Sequence, residues 1–204
     1  TRAGLFQFAI AGYTNAGKST LLNSLTDAGI LAEDKLFATL DPTTRKYTLP
    51  HGSEILLTDT VGFLRNLPHH LIRAFRSTLD EVSFADAVLI VMDASDPECA
   101  AQLEVTQNLM EQLGAADKPK LYVMNKCDLV ARENLPLALT REDVAVISAK
   151  NGTGLDELTD KMERLVNEGK HACTFLFGYR DQSFIDLLHR DAQVLEIDYR
   201  EDGV

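Results

Sequence analysis

The run Gly12-Tyr13-Thr14-Asn15-Ala16-Gly17-Lys18-Ser19-Thr20 restricts this chain more than any other segment. It satisfies the pattern G-x-x-x-x-G-K-[ST] directly after the apolar stretch Leu5 to Ala11 and just before the amphipathic stretch Leu21 to Leu25. Strand, glycine-rich loop and helix are therefore expected in that order. Gly12 and Gly17 let the backbone curl so that successive N–H groups converge on phosphate oxygens, and the following helix adds its positive N-terminal end. Lys18 supplies a cation that reaches the terminal phosphates, and the Ser19 hydroxyl can ligate Mg²⁺. A nucleoside triphosphate is the expected ligand.

The chain has 204 residues, of which 45% are hydrophobic, enough for one domain of ordinary size with a small appendage. No stretch approaches the ~18 to 20 uncharged apolar residues that a membrane span requires, and no signal-peptide pattern opens the sequence. Cys99, Cys127 and Cys173 are odd in number and lack C-x-x-C spacing, which suggests neither a disulfide framework nor a zinc site. A soluble protein of the reducing cytoplasm is expected. The formal net charge of -11 argues against an exposed basic surface that would hold free DNA or RNA. A local cluster of Arg65, Arg73 and Arg76 with His69 and His70 falls in or near a helix expected after Leu67-Pro68. Its plainer reading is a solvated helix face.

Apolar runs alternate with helix-period segments along the chain. Strands are expected at Leu5 to Ala11, Ile55 to Leu57, Ala87 to Met92, Leu121 to Met124 and Val144 to Ile147, with an edge strand at Arg45 to Leu49. Helices are expected at Ser19 to Thr26, Pro68 to Val82, Pro97 to Leu113 and Leu155 to Asn167. Near-continuous Val, Ile and Leu strands separated by helices indicate a parallel sheet covered on both faces. The fold class is α/β, a doubly wound, mostly parallel sheet with helices on both faces. Asp27 to Pro42 and Leu129 to Asp143 read as long loops. Toward the end, Ala172 to Phe177, Ser183 to His189 and Val194 to Tyr199 read as strand, helix and strand, a small α+β appendage.

Two further segments carry chemistry. Asp59-Thr60-Val61-Gly62 follows a strand in the form D-x-x-G, where Asp59 can hold Mg²⁺ directly or through water and the Gly62 N–H can approach a γ-phosphate. Asn125-Lys126-Cys127-Asp128 places N-K-x-D at the carboxyl end of a buried strand, where doubly wound sheets bind their ligands. The Asp128 carboxylate can accept hydrogen bonds from N1–H and the 2-amino group of guanine. Adenine offers neither, so the carboxylate would be left unpaired against a lone pair. Such a site can reject the wrong partner by factors on the order of 10⁴, which favours GTP over ATP. Ser148-Ala149-Lys150, after the last strand, can close the base pocket with a backbone N–H aimed at the guanine O6, or can be an ordinary strand-to-helix turn.

Taken in order, Gly12 to Thr20, Leu36 to Arg45, Asp59 to Phe63, Asn125 to Asp128 and Ser148 to Lys150 resemble the five nucleotide-binding boxes of a GTPase. The second and third boxes are similar to those of the HflX GTPases in the Obg-HflX group, as are Arg65 to Leu71 and Val91 to Pro97. This resemblance covers the chain from Phe6 onward. It implies a translation-associated GTPase that binds GTP and GDP with Mg²⁺ in the cytoplasm. It also implies that the full-length protein binds the large ribosomal subunit, with a role in splitting or rescuing stalled ribosomes. The G domain would span residues 1–170 and a small, incomplete C-terminal domain 171–204, in a protein that usually carries an N-terminal domain as well. A monomer is expected.

Within the second box, Phe37, Ala38, Thr39, Leu40 and Asp41 are expected at the nucleotide. Thr39 aligns with the Obg-type threonine that closes over the γ-phosphate and ligates Mg²⁺, whereas Asp41-Pro42-Thr43 imitates the motif of small signalling GTPases. Lys18, Thr39 and Gly62 are thus the residues expected to act on the reacting phosphate, and Ser19, Thr39 and Asp59 the Mg²⁺ ligands. Where many GTPases place a water-orienting glutamine, this chain has Phe63, which cannot hydrogen-bond. Hydrolysis by the chain alone is expected to be slow and stimulated by the ribosome; the alternative is a nucleotide-sensing module with negligible turnover. Asn15 suggests a K⁺ ligand, or an asparagine that merely stabilises the loop. An ATP-using kinase is a further alternative, against which N-K-x-D argues.

Overall fold

The computed structural model describes residues 4–26, 43–60, 62, 81–131, 141–168, 173–180, 182–192, 194, 196–200 and 202–203. They fall into two compact units, Thr1–Glu168 and Gly169–Val204.

The first unit is built on a six-stranded sheet. Its strands are β1 (Phe6–Gly12), β2 (Thr43–Thr48), β3 (Glu54–Asp59), β4 (Ala87–Asp93), β5 (Lys120–Asn125) and β6 (Val144–Val146), in the spatial order β2-β3-β1-β4-β5-β6. All neighbours are parallel except the edge strand β2, which runs antiparallel to β3. Helices α1 (Lys18–Thr26), α2 (Cys99–Gln112) and α3 (Leu155–Asn167) cover it. The expected α/β doubly wound class is the observed one.

The alternation of side chains along β1 accounts for the two-sided burial. Phe8 and Ile10 join Leu21, Leu22 and Leu25 of α1 and Leu158 and Met162 of α3 in one apolar cluster. Ala9 and Ala11 point the other way, into a cluster with Val88, Ile90, Leu109 and Met110. A strand buried on both faces has no need of a polar alternate, so its sequence reads as a continuous apolar run. The exception is Gln7, whose Nε2 donates to Thr58 Oγ1 at 3.1 Å and to Glu81 Oε2 at 3.2 Å. It thereby ties the helical residues 81–84 to the sheet.

Boundaries moved where hydrogen bonding outweighed composition. The third strand, expected at Ile55 to Leu57, runs from Glu54 to Asp59 because β1 and β2 pair with it on either side. The third expected helix begins at Cys99 rather than Pro97, with Asp96 Oδ1 accepting the Glu98 N–H at 2.8 Å just before it. Of the expected helix Pro68 to Val82, residues 68–80 lie outside the described residues, as does the arginine and histidine cluster from Arg65 to Arg76.

The second unit differs from its expectation. Helix α4 (Gln182–Asp191) forms, but the described residues 173–178 and 196–199 are in no β-ladder. The only pairing among the described residues there is the isolated bridge between Arg200 and Gly203. An extended segment without a hydrogen-bonded neighbour is not a strand, whatever its β-propensity. The apolar content goes instead into a stack of Phe175, Phe177 and Phe184, each successive pair 5.8 Å apart between ring centroids.

Candidate nucleotide site

Because β1, β3, β4, β5 and β6 are parallel, their carboxyl ends share one edge of the sheet, and the sequence-predicted residues gather there. Gly12 closes β1, the loop through Tyr13, Thr14, Asn15, Ala16 and Gly17 follows, and Lys18, Ser19 and Thr20 form the first turn of α1. Asp59 ends β3, with Thr60 and Gly62 just beyond it. Asn125 ends β5, and Lys126 leads into a 3₁₀ turn, Cys127–Leu129, that contains Asp128. Ser148, Ala149 and Lys150 come after β6. Phe37, Ala38, Thr39, Leu40, Asp41, Val61 and Phe63 lie outside the described residues.

The loop after β1 is held by backbone conformations that few residues adopt. Gly12 has φ +144°, and a Cβ there would sit 2.2 Å from the Val91 carbonyl oxygen of β4. Gly17 has φ +93°. Asn15 is left-handed at φ 59°, a region asparagine tolerates better than most residues. Backbone geometry alone is therefore reason enough for an asparagine at this position.

Lys18 is buried and its ammonium donates to the Tyr13 carbonyl at 3.0 Å, inside the loop it serves. Burial pulls its pKa from 10.5 down to about 8, against the opposing attraction of the Asp59 carboxylate. Gly62 packs against the same group: a Cβ on it would lie 3.1 Å from Lys18 Nζ and 2.8 Å from Thr14 Cα. The two expected phosphate-binding segments are thus in contact across a position only glycine fits.

Ser19 Oγ donates to Asp59 Oδ2 at 2.7 Å. A hydroxyl and a carboxylate this close form a hard-oxygen pair suited to Mg²⁺. Thr43, the alternative second-box threonine, lies in β2 and is paired in register with Asp59.

The expected base side of the site is organised by Asn125. Its Nδ2 donates to the Ala16 carbonyl and its Oδ1 accepts the Ala149 N–H, both at 2.9 Å, so one buried amide joins the phosphate loop to the Ser148 to Lys150 segment. The Ala149 amide is accordingly committed within the protein. Ser148 is itself buried and pairs with Thr153. Lys126 is left-handed at φ 63°, and its Nζ meets Asp93 Oδ2 at 2.7 Å. Asp128 is exposed on the turn.

Two participants escaped the sequence reading. Ser24 Oγ on α1 lies 2.5 Å from the Ala149 carbonyl and pins that segment from below. Asp93 ends β4 paired in register with Asn125 and engages Lys126. An acidic residue closing the strand next to N-K-x-D was the available signal for the second; no local pattern marks the first.

A family model described as 50S ribosome-binding GTPase matches residues 7–126. The chain is 50% identical over 196 residues to GTPase HflX of Lacrimispora saccharolytica, an alignment covering 96% of this chain and 46% of that relative. It thus spans about half the length of the curated relatives it matches. Among solved structures, it is 29% identical, with a TM-score of 0.65, to a GTP-binding protein from the archaeon Sulfolobus solfataricus in complex with GDP, covering 81% of this chain and 53% of that one. It is also 25% identical, with a TM-score of 0.64, to Era in complex with MgGDPNP and a segment of 16S ribosomal RNA, covering 87% of this chain and 60% of that one.

Proposed function

The chain belongs to the 50S ribosome-binding GTPase family, and from that premise we propose that it binds GTP and GDP and hydrolyses GTP to GDP and phosphate. One observation carries this reading: Asn125 bonds at once to the phosphate loop and to the base-side loop, which fits a ligand with a phosphate tail and a purine held at a fixed separation. Gly12 to Thr20 hold the phosphates, Lys18 offsets their charge, and Gly62 brings its amide beside the γ-phosphate. Asp128 reads the guanine edge, with Lys126 and Ser148 to Lys150 enclosing the base. Ser19 and Asp59, with Thr39 from the second box, would hold Mg²⁺, which would supply positive charge against the phosphates. Thr60 supports this arrangement through its hydroxyl bond to the Ile10 carbonyl at 2.8 Å.

Turnover by the chain alone is slow, because Phe63 cannot orient a water. In the cytoplasm the full-length protein binds the large ribosomal subunit, which stimulates hydrolysis, and it serves in splitting or rescuing stalled ribosomes. The description of the matching family model, 50S ribosome-binding GTPase, supports the ribosomal part of that reading. Residues 1–170 act as the G domain, and 171–204 belong to a small C-terminal domain. K⁺ at Asn15 has only the residue type in its favour; equal turnover in KCl and NaCl removes it.

Calorimetric titration with GDP and ADP tests the reading. GDP should bind at least about 10³-fold more tightly, and slow phosphate release from GTP should accelerate with large ribosomal subunits. Equal affinity for the two nucleotides overturns the assignment, and phosphate release absent even with subunits leaves a sensing module instead.

A further inference from the structure

Among the described residues, Asp93 bonds to none of the groups assigned to phosphate or metal, yet it is firmly fixed at the site. Its Oδ1 accepts the Ser95 N–H at 2.9 Å and the Ser95 hydroxyl at 2.6 Å, and its Oδ2 takes the Lys126 ammonium at 2.7 Å. The Ala94 N–H donates to the Asn125 carbonyl at 2.8 Å, tying the ends of β4 and β5 together beside this pair. Burial raises the Asp93 pKa, but the bonds from Lys126 and Ser95 outweigh it and hold the carboxyl below its ordinary value.

Lys126 occupies an unusual place. Its left-handed backbone separates two residues with different tasks, Asn125 facing the phosphate loop and Asp128 on the turn beyond. A lysine with its head anchored to a carboxylate presents its methylene stem as a fixed apolar surface, whereas a free one spreads over many rotamers.

We propose that Asp93 is a positioning residue for guanine: by anchoring the Lys126 ammonium it fixes the lysine stem as one wall of the base pocket. The proposal rests on the assignment of Asn125 to Asp128 as the base-reading segment. The ion pair is partly exposed, with side-chain exposures of 30% for Lys126 and 16% for Asp93, so its effect should fall between that of a surface pair and a buried one.

Asp93→Asn tests this cleanly, because asparagine keeps an oxygen for Ser95 and removes only the charge facing Lys126. GDP should bind about tenfold more weakly to D93N, while inorganic pyrophosphate, which has no base, should bind within about twofold of the unsubstituted chain. Asp93→Glu should recover most of the GDP affinity. In a Lys126→Met background the further change D93N should have no additional effect, since its target is gone. Unchanged GDP affinity in D93N overturns the proposal. So does an equal loss for pyrophosphate, an undiminished effect in the K126M background, or a D93N chain without a cooperative thermal transition, each of which would make Asp93 a general structural residue. Failure of the unsubstituted chain to bind GDP instead sinks the underlying assignment, and Asp93's role with it.

Discussion

The Asn125 amide lies where a side chain on residue 17 would have to be: a Cβ on Gly17 would sit 2.2 Å from Asn125 Nδ2. The phosphate loop and the base-side strand end are therefore in contact through a glycine. Replacing Gly17 by alanine would force Asn125 off the Ala16 carbonyl and would also strain a backbone at φ +93°, at a cost of about 1–3 kcal/mol. Gly17→Ala should weaken GDP binding by at least about 100-fold, the combined effect of strain and a displaced amide. Calorimetry on G17A decides it, and near-parental affinity would mean that the two segments move apart without consequence.

Removing the amide itself isolates its share. Asn125→Ala leaves the Ala16 carbonyl and the Ala149 N–H without the partner each has now, in a region where Asn125 is 2% exposed. Each abandoned group costs about 1–3 kcal/mol when water cannot replace the bond. The nucleotide-free chain should lose about 2–4 kcal/mol of stability in urea unfolding, with little change in the denaturant slope. A loss below about 0.5 kcal/mol would show that water enters and satisfies both groups.

Lys18 makes stability depend on pH in an uncommon direction. In the nucleotide-free chain its pKa is about 8, against 10.5 for the ordinary group. Over that interval the unfolded chain retains the proton and the folded chain has released it, so stability rises with pH and levels off above the unfolded value. The rise amounts to about 3 kcal/mol on the conversion of one pKa step to about 1.4 kcal/mol. Below pH 8 the buried ammonium costs the fold that same amount. Lys18→Met should accordingly stabilise the nucleotide-free chain at pH 7 by about 1–3 kcal/mol while abolishing nucleotide binding. Unfolding curves at pH 7 and pH 10 for both proteins settle the matter; an undiminished pH rise in K18M would place its source elsewhere.

The doubly wound class was legible because strands buried on both faces are apolar at nearly every position, as Phe8 to Ala11 of β1 and Ala87 to Met92 of β4 are, and that leaves a mark in the linear sequence. The strand, loop and helix around Gly12 to Thr20 were legible for a local reason: the glycines and the lysine that shape the loop lie within a few residues of one another. The strands expected in the second unit were not, because propensity says how a segment prefers to extend and nothing about whether a neighbour bonds it.

The amino-acid sequence by itself determined which residues could cradle phosphate, hold Mg²⁺ and read a guanine edge, since those capacities belong to side-chain chemistry and short spacing. Only the tertiary structure decided that Asn125 joins two loops, that Gly62 abuts Lys18, and that Asp93 grips Lys126. These are contacts between segments far apart along the chain, set by which strands end side by side at one edge of the sheet, and strand order is a property of packing that no local pattern encodes.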